Sequence, residues 1–131
     1  MVGIFTQMMD AAAAAPDKES AEAALAFLAE MSPDLRGAAI LGPEGKVLAA
    51  TEGEPERWSE DAETLFADAD AAEGVPVEQI HIATEQGEVF AVRNEGLAAV
   101  SVTDRFALAS LMLYDLRATL RELARGAGGP S

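Results

Sequence analysis

The chain contains no cysteine, one histidine, one tryptophan and one tyrosine, and it sets only 9 Lys and Arg against 23 Asp and Glu. Each scarcity removes a class of function. Without thiols there are no disulfides and no thiolate zinc sites, and a lone imidazole leaves any transition-metal site to carboxylates, so neither a structural metal nor a cofactor is expected. The formal charge of −14 repels nucleic acid and anionic lipid head groups, so neither is expected as a partner. No run approaches the roughly 20 apolar residues that a membrane-spanning helix needs, which argues against membrane insertion. Met1 to Ala15 ends in consecutive alanines but carries no Lys or Arg and few strongly apolar residues. It therefore does not read as a secretory signal, and a cytoplasmic location is expected.

Half of the 131 residues are apolar, enough for one modest core and too few residues for several domains. The acidic excess is local. Between Glu52 and Glu73 nine carboxylates face only Arg57, whereas from Arg105 onward Arg105, Arg117, Arg121 and Arg125 outnumber Asp115 and Glu122. The acidic stretch reads as a solvated helix face or as an electrostatic guide for a basic partner.

Apolar spacing and turn residues give the element order. Ile4, Phe5, Met8, Met9 and Ala12 recur at helical intervals before Pro16, so residues 1–16 are expected to form a helical extension. Asp17 is placed to cap a helix whose apolar face is Ala21, Ala24, Leu25, Leu28 and Met31. Ala38–Leu41 and Lys46–Thr51 flank Gly42-Pro43-Glu44-Gly45, a hairpin in which Pro43 presets a turn φ and Gly45 closes it. Ser59 is the expected cap of an acidic middle helix ended by Gly74 and Pro76. Val77–Thr84, Glu88–Arg93 and Leu97–Thr103 form a meander. The last helix is expected to start near Thr103 or Asp104 and to carry Phe106, Ala109, Met112, Leu113, Leu116, Leu120 and Leu123, with Leu108 and Leu111 widening its stripe. Residues 17–125 thus form one α+β sandwich, ordered αββαβββα around a five-stranded antiparallel sheet, and residues 126–131 are expected to be a disordered tail.

No constellation supports catalysis. His81 stands alone on the mixed face of its strand with Gln79 and Ala83, opposite Ile80 and Ile82, and reads as structural. Ser59, Ser101 and Ser110 lie in no nucleophile-elbow motif, and Gly42-Pro43-Glu44-Gly45-Lys46 lacks the spacing of a phosphate loop. Glu52, Glu54 and Glu56 lack the ligand spacing of a calcium loop. Trp58 either packs under the middle helix or anchors a partner. The expectation is a chain without enzymatic activity.

Three passages, Arg36–Ala50, Thr84–Arg93 and Ala109–Arg117, make the region from Lys18 to Ala124 resemble the Roadblock family of dynein light chains and bacterial GTPase regulators, in a fold shared with profilin-like and longin-like domains. A small-residue pair leads a strand, a Gly turn and a second strand, and a Leu-rich helix with a Tyr and Arg ending closes the domain. The resemblance implies a homodimer in which the middle helix and the strand after it build a two-fold interface, with Trp58, Ala62, Leu65, Phe66, Ala69, Val77, Gln79, His81 and Ala83 as its residues. It further implies a signalling scaffold whose partner is a small Ras-like GTPase or a complex holding one. Two other readings stay open: a small-molecule-sensing domain of the same fold, and a structural assembly subunit. The middle helix looks shorter and more acidic than the family pattern, and the extension has no counterpart in it.

Overall fold

A computed structural model describes residues 16–128. The expected helix before Pro16 and the last tail residues lie outside them. The elements are α1 (Lys18–Met31), β1 (Leu35–Leu41), a single 3-10 turn (Pro43–Gly45), β2 (Val47–Ala50), α2 (Pro55–Glu73), β3 (Gln79–Ala83), β4 (Glu88–Asn94), β5 (Leu97–Thr103) and α3 (Ala109–Gly128). The strands form one antiparallel sheet in the order β2-β1-β5-β4-β3, so the expected order of elements is observed.

The sheet is apolar on both faces. Ala38, Ile40, Phe90, Val92, Leu97 and Ala99 point to one side, where Ala21, Leu25 and Leu28 of α1 and Met112, Leu116, Leu120 and Leu123 of α3 complete the larger core. Ala39, Leu41, Ala91 and Val100 point to the other, where Ala62 and Phe66 of α2 form a smaller one. Two helices therefore cover one face and a single helix covers the other.

Local chemistry explains most boundaries. Asp17 accepts a hydrogen bond from the backbone N–H of Ser20 at 2.7 Å, which caps α1 and holds its carboxyl below the ordinary range. Gly74 ends α2 in the left-handed conformation (φ 78°) that favours glycine. Gly87 passes so close to the Thr103 carbonyl that any Cβ there would collide with it.

β1 begins at Leu35, ahead of the expected Ala38, and β3 at Gln79, after the expected Val77, and three helix boundaries also differ from the sequence expectation. The middle helix starts at Pro55, not at Ser59. Proline fits the first turn of a helix because the missing N–H has no intrahelical partner there. Ser59, one turn inside, donates instead to the Gly45 carbonyl at 2.7 Å and ties α2 to the β1–β2 turn. At 19 residues α2 is also not short.

The last helix starts at Ala109, five residues beyond Asp104, because the intervening chain is held otherwise. The Asp104 N–H bonds the Asp34 carbonyl, Phe106 sits at φ 66°, and the Ala107 N–H bonds the Glu88 carboxylate at 2.9 Å. Phe106 is consequently 84% exposed, and Leu108 and Leu111 stand outside the core instead of widening it. At the other end α3 continues to Gly128, into the residues expected to be disordered.

Leu116 is fully buried between α3 and the sheet. Leu116→Ala should therefore cost about 2–5 kcal/mol of unfolding free energy, read from urea denaturation followed by circular dichroism.

Candidate functional site

Among the described residues, the α2 face of the sheet is incompletely covered toward the edge strand β3. α2 lies over β2 and the turn before it, toward the edge of the sheet opposite β3. Ile80, Val89 and Val102 are left half-buried and Ile82 is 40% exposed. β3 pairs only with β4, without a register shift, and contains no Pro, Lys or bulge to deter another strand. The opposite edge, β2, is four residues long and is packed by both α1 and α2.

The sequence-predicted interface residues separate into three groups. Ala62 and Phe66 are buried inward against the sheet and serve the core of the single chain. Trp58, Leu65 and Val77 flank them half-buried, and Ala69 is half-buried on the same helix. Trp58 packs under the start of α2, its indole N–H donating to the Glu52 carbonyl at 2.5 Å. Gln79, His81 and Ala83 are also on β3, but they project to the opposite face of the sheet. There Arg117 of α3 donates to the Gln79 side chain, and His81 stacks on Phe90 with ring centroids 4.4 Å apart.

His81 belongs to a small polar network. Its Nε2 lies 2.6 Å from Oε1 of the buried Glu88, whose Oε2 accepts the Ala107 N–H. The bond to His81 is the main reason that the Glu88 carboxyl is held below the ordinary range. The pair pins the β5–α3 connection and keeps Phe106 outside, a structural task for the imidazole.

The residue that sequence reasoning missed is Arg93. From β4 its guanidinium donates to the Val77 carbonyl (2.6 Å from Nη2, 2.9 Å from Nε) and to Oδ1 of Asp70 at 2.7 Å, and it covers the Phe66 ring at 4.3 Å. Oδ1 of Asp70 also accepts the Val77 N–H at 2.8 Å. One cation thus fastens the end of α2 to the strand that follows it. The only signal in the sequence is a lone cation directly after the apolar run Val89–Val92.

Above this clamp a groove of about 760 Å³ opens between α2 and the β1–β2 and β4–β5 turns. Its floor is Leu41, Phe66 and Ala98, and its rim carries Glu44, Glu63, Glu78 and Glu95, so the groove is acidic around an apolar base. Among the described residues no three carboxylate or histidine side chains converge as metal ligands, and no helix is long and apolar enough to cross a membrane.

The bond from Arg93 is the main cause of the lowered Asp70 pKa. A carboxyl with a depressed folded pKa adds stability that is complete above its unfolded value, about 4, and is lost as pH falls through the folded value. The melting temperature should therefore fall more steeply from about pH 5 to pH 3 in the native chain than in Asp70→Asn. Parallel melting curves for the two would show that the clamp adds nothing.

No family model matches the chain, and no curated sequence relative is found. Solved structures do match. The gliding protein MglB from Thermus thermophilus is 20% identical with a TM-score of 0.68, over 83% of this chain and 89% of that one. A Roadblock/LC7 domain from Streptomyces avermitilis is 18% identical with a TM-score of 0.62, over 74% and 88%. LokiProfilin1, solved in complex with rabbit actin, is 15% identical with a TM-score of 0.61, over 84% and 98%. At these identities the likeness is one of architecture, and the chain has the Roadblock/LC7 and profilin-like fold.

Proposed function

We propose that this chain is a non-catalytic interaction module that pairs with a second copy of itself through the α2 face and β3, and that the pair binds a small Ras-like GTPase or a complex containing one. The observation that carries the pairing is the uncovered edge. β3 is an edge strand that, among the described residues, pairs only with β4, and on and beside it Ile80, Ile82, Val89 and Val102 form a partly exposed apolar strip that α2 leaves open. A second copy added edge to edge would satisfy the backbone groups and bury the strip in one step, with each residue meeting its symmetry mate region. Trp58 and the inward-facing Ala62 and Phe66 then set the position of α2, while Leu65, Ala69, Val77, Gln79, His81 and Ala83 supply the neighbourhood of the contact.

The GTPase part rests on the resemblance of Arg36–Ala50, Thr84–Arg93 and Ala109–Arg117 to Roadblock regulators, and the shared fold supports it. An assembly subunit of the same fold would share the pairing and lack the GTPase. The acidic outer face of α2 suits a basic surface on whichever partner binds, since opposite charge accelerates encounter.

Light scattering coupled to size exclusion tests the pairing directly. The full chain should have twice the mass of one copy at micromolar concentration, and Ile82→Asp, which charges the strip without touching either core, should halve it. A native chain that elutes with the mass of one copy removes the proposal. Pull-down by the immobilised dimer against Ras-like GTPases loaded with GDP or a GTP analogue then separates the regulator from the assembly subunit: retention of one nucleotide state is expected of the first, and no retention of the second.

A further inference from the structure

The groove above the Arg93 clamp is walled by α2, by the β1–β2 turn, and by the β4–β5 turn together with the residues that lead into β3. Strand register sets it apart from the strip proposed for self-pairing. Leu41 faces Ala98, and Ala98 faces Arg93, at the end of the sheet where those two turns lie, whereas Ile82, Val89 and Val102 stand side by side at the other end. At about 760 Å³ the groove falls within the range of roughly 300–1,000 Å³ in which ligand sites are found, and Leu41, Phe66 and Ala98 make its floor apolar.

Charge decides what such a groove can take. Glu44, Glu63, Asp70, Glu78 and Glu95 line it against a single cation, Arg93. Arg93 is already committed to Asp70 at 2.7 Å, and the four glutamates enter none of the ion pairs found among the described residues. They come from the β1–β2 turn, α2, the approach to β3 and the β4–β5 turn, so they surround the opening, and no three described carboxylates converge to hold a metal ion. The complementary occupant carries several cations spread around an apolar part. Arg93 shows how the base of the groove receives a cation: its guanidinium lies 4.3 Å from the centre of the Phe66 ring while it donates to the Asp70 carboxylate and the Val77 carbonyl.

We infer that the groove docks a segment of a partner protein in which an apolar side chain, seated on the floor, is flanked by Lys or Arg side chains directed at Glu44, Glu63, Glu78 and Glu95. All four glutamates are exposed, so each attraction is screened by salt and worth little alone. The apolar anchor supplies the holding contact, and the glutamates select a cationic sequence around it. The net charge of −14 adds a long-range attraction for the same class of partner. Neither the self-pairing nor the GTPase reading enters this inference.

The test is a fluorescein-labelled peptide with a central leucine between arginines, titrated with the full chain in physiological salt and followed by fluorescence anisotropy. Saturable binding to the native chain is expected, and replacing the leucine of the peptide by serine should weaken it about tenfold, the order that follows from losing one buried apolar anchor. Glu63→Gln combined with Glu95→Gln should weaken binding of the leucine peptide about fivefold. Glu22→Gln combined with Glu30→Gln removes the same charge from exposed positions of α1, across the sheet, and should leave the affinity within about twofold of native. Both variants keep side-chain size, and unchanged circular dichroism checks their fold; the comparison of the two peptides on the native chain needs no variant. Equal weakening by the two pairs of substitutions, equal affinity for the leucine and serine peptides, or no saturable binding to the native chain would overturn the inference. Molar mass, which reads the self-pairing, is not among these readouts, so either idea can fail without the other.

Discussion

A sheet that is apolar on both faces has to be covered on both, and every other feature of this domain answers that demand. Ala38, Ile40 and Phe90 point one way and Ala39, Leu41 and Ala91 the other, on neighbouring strands of the same sheet. Two helices close the first face. One helix, α2, must serve the second, and because it is drawn toward β2 and the β1–β2 turn it leaves the β3 side open. Among the described residues, incomplete cover on that face is a direct result of three helices meeting two faces. The proposed self-pairing answers a deficit of this kind.

The position of α2 depends on polar contacts as much as on its two buried side chains. Arg93 gathers Asp70, the Val77 carbonyl and the Phe66 ring into one junction, and Ser59 fixes the other half of the helix to the Gly45 carbonyl. These contacts allow a helix with a strongly acidic outer face to stay on the sheet while only Ala62 and Phe66 are buried. On the far side of the sheet, Glu88 has a comparable task. It bonds His81 and the Ala107 backbone, delays the start of α3, and leaves Phe106, Leu108 and Leu111 outside. The exposure of these three apolar side chains thus has a polar cause.

Much of the fold was legible in the sequence because period and punctuation agree. Alternation in Gln79–Ala83 identified which side chains share a face, and Asp17, Gly45 and Gly74 marked a cap, a turn and a helix end for reasons local to each residue. The errors arose where a distant group overrode a local preference. Ser59 is a competent cap, but a carbonyl across the domain takes its hydroxyl, and Pro55 starts the helix. Thr103 and Asp104 could start a helix, but Thr103 completes β5 and Asp104 is bonded to Asp34. Leu108 and Leu111 keep helical spacing with core residues, yet they lie on the flank. For the candidate interface, spacing identified α2 and β3 but could not show that Ala62 and Phe66 face inward, nor that Gln79, His81 and Ala83 are on the opposite face from them.

The sequence by itself determined the class of the domain, the order of its elements and the exclusion of thiol chemistry, because these depend on composition and on periodicities of two and three to four residues. Only the tertiary structure decided which faces stay uncovered, which of the apolar residues are core, and that Arg93 and Glu88 organise the two sides of the sheet. Those outcomes depend on groups far apart in the chain, and no local pattern encodes which distant carbonyl or carboxylate a side chain will meet.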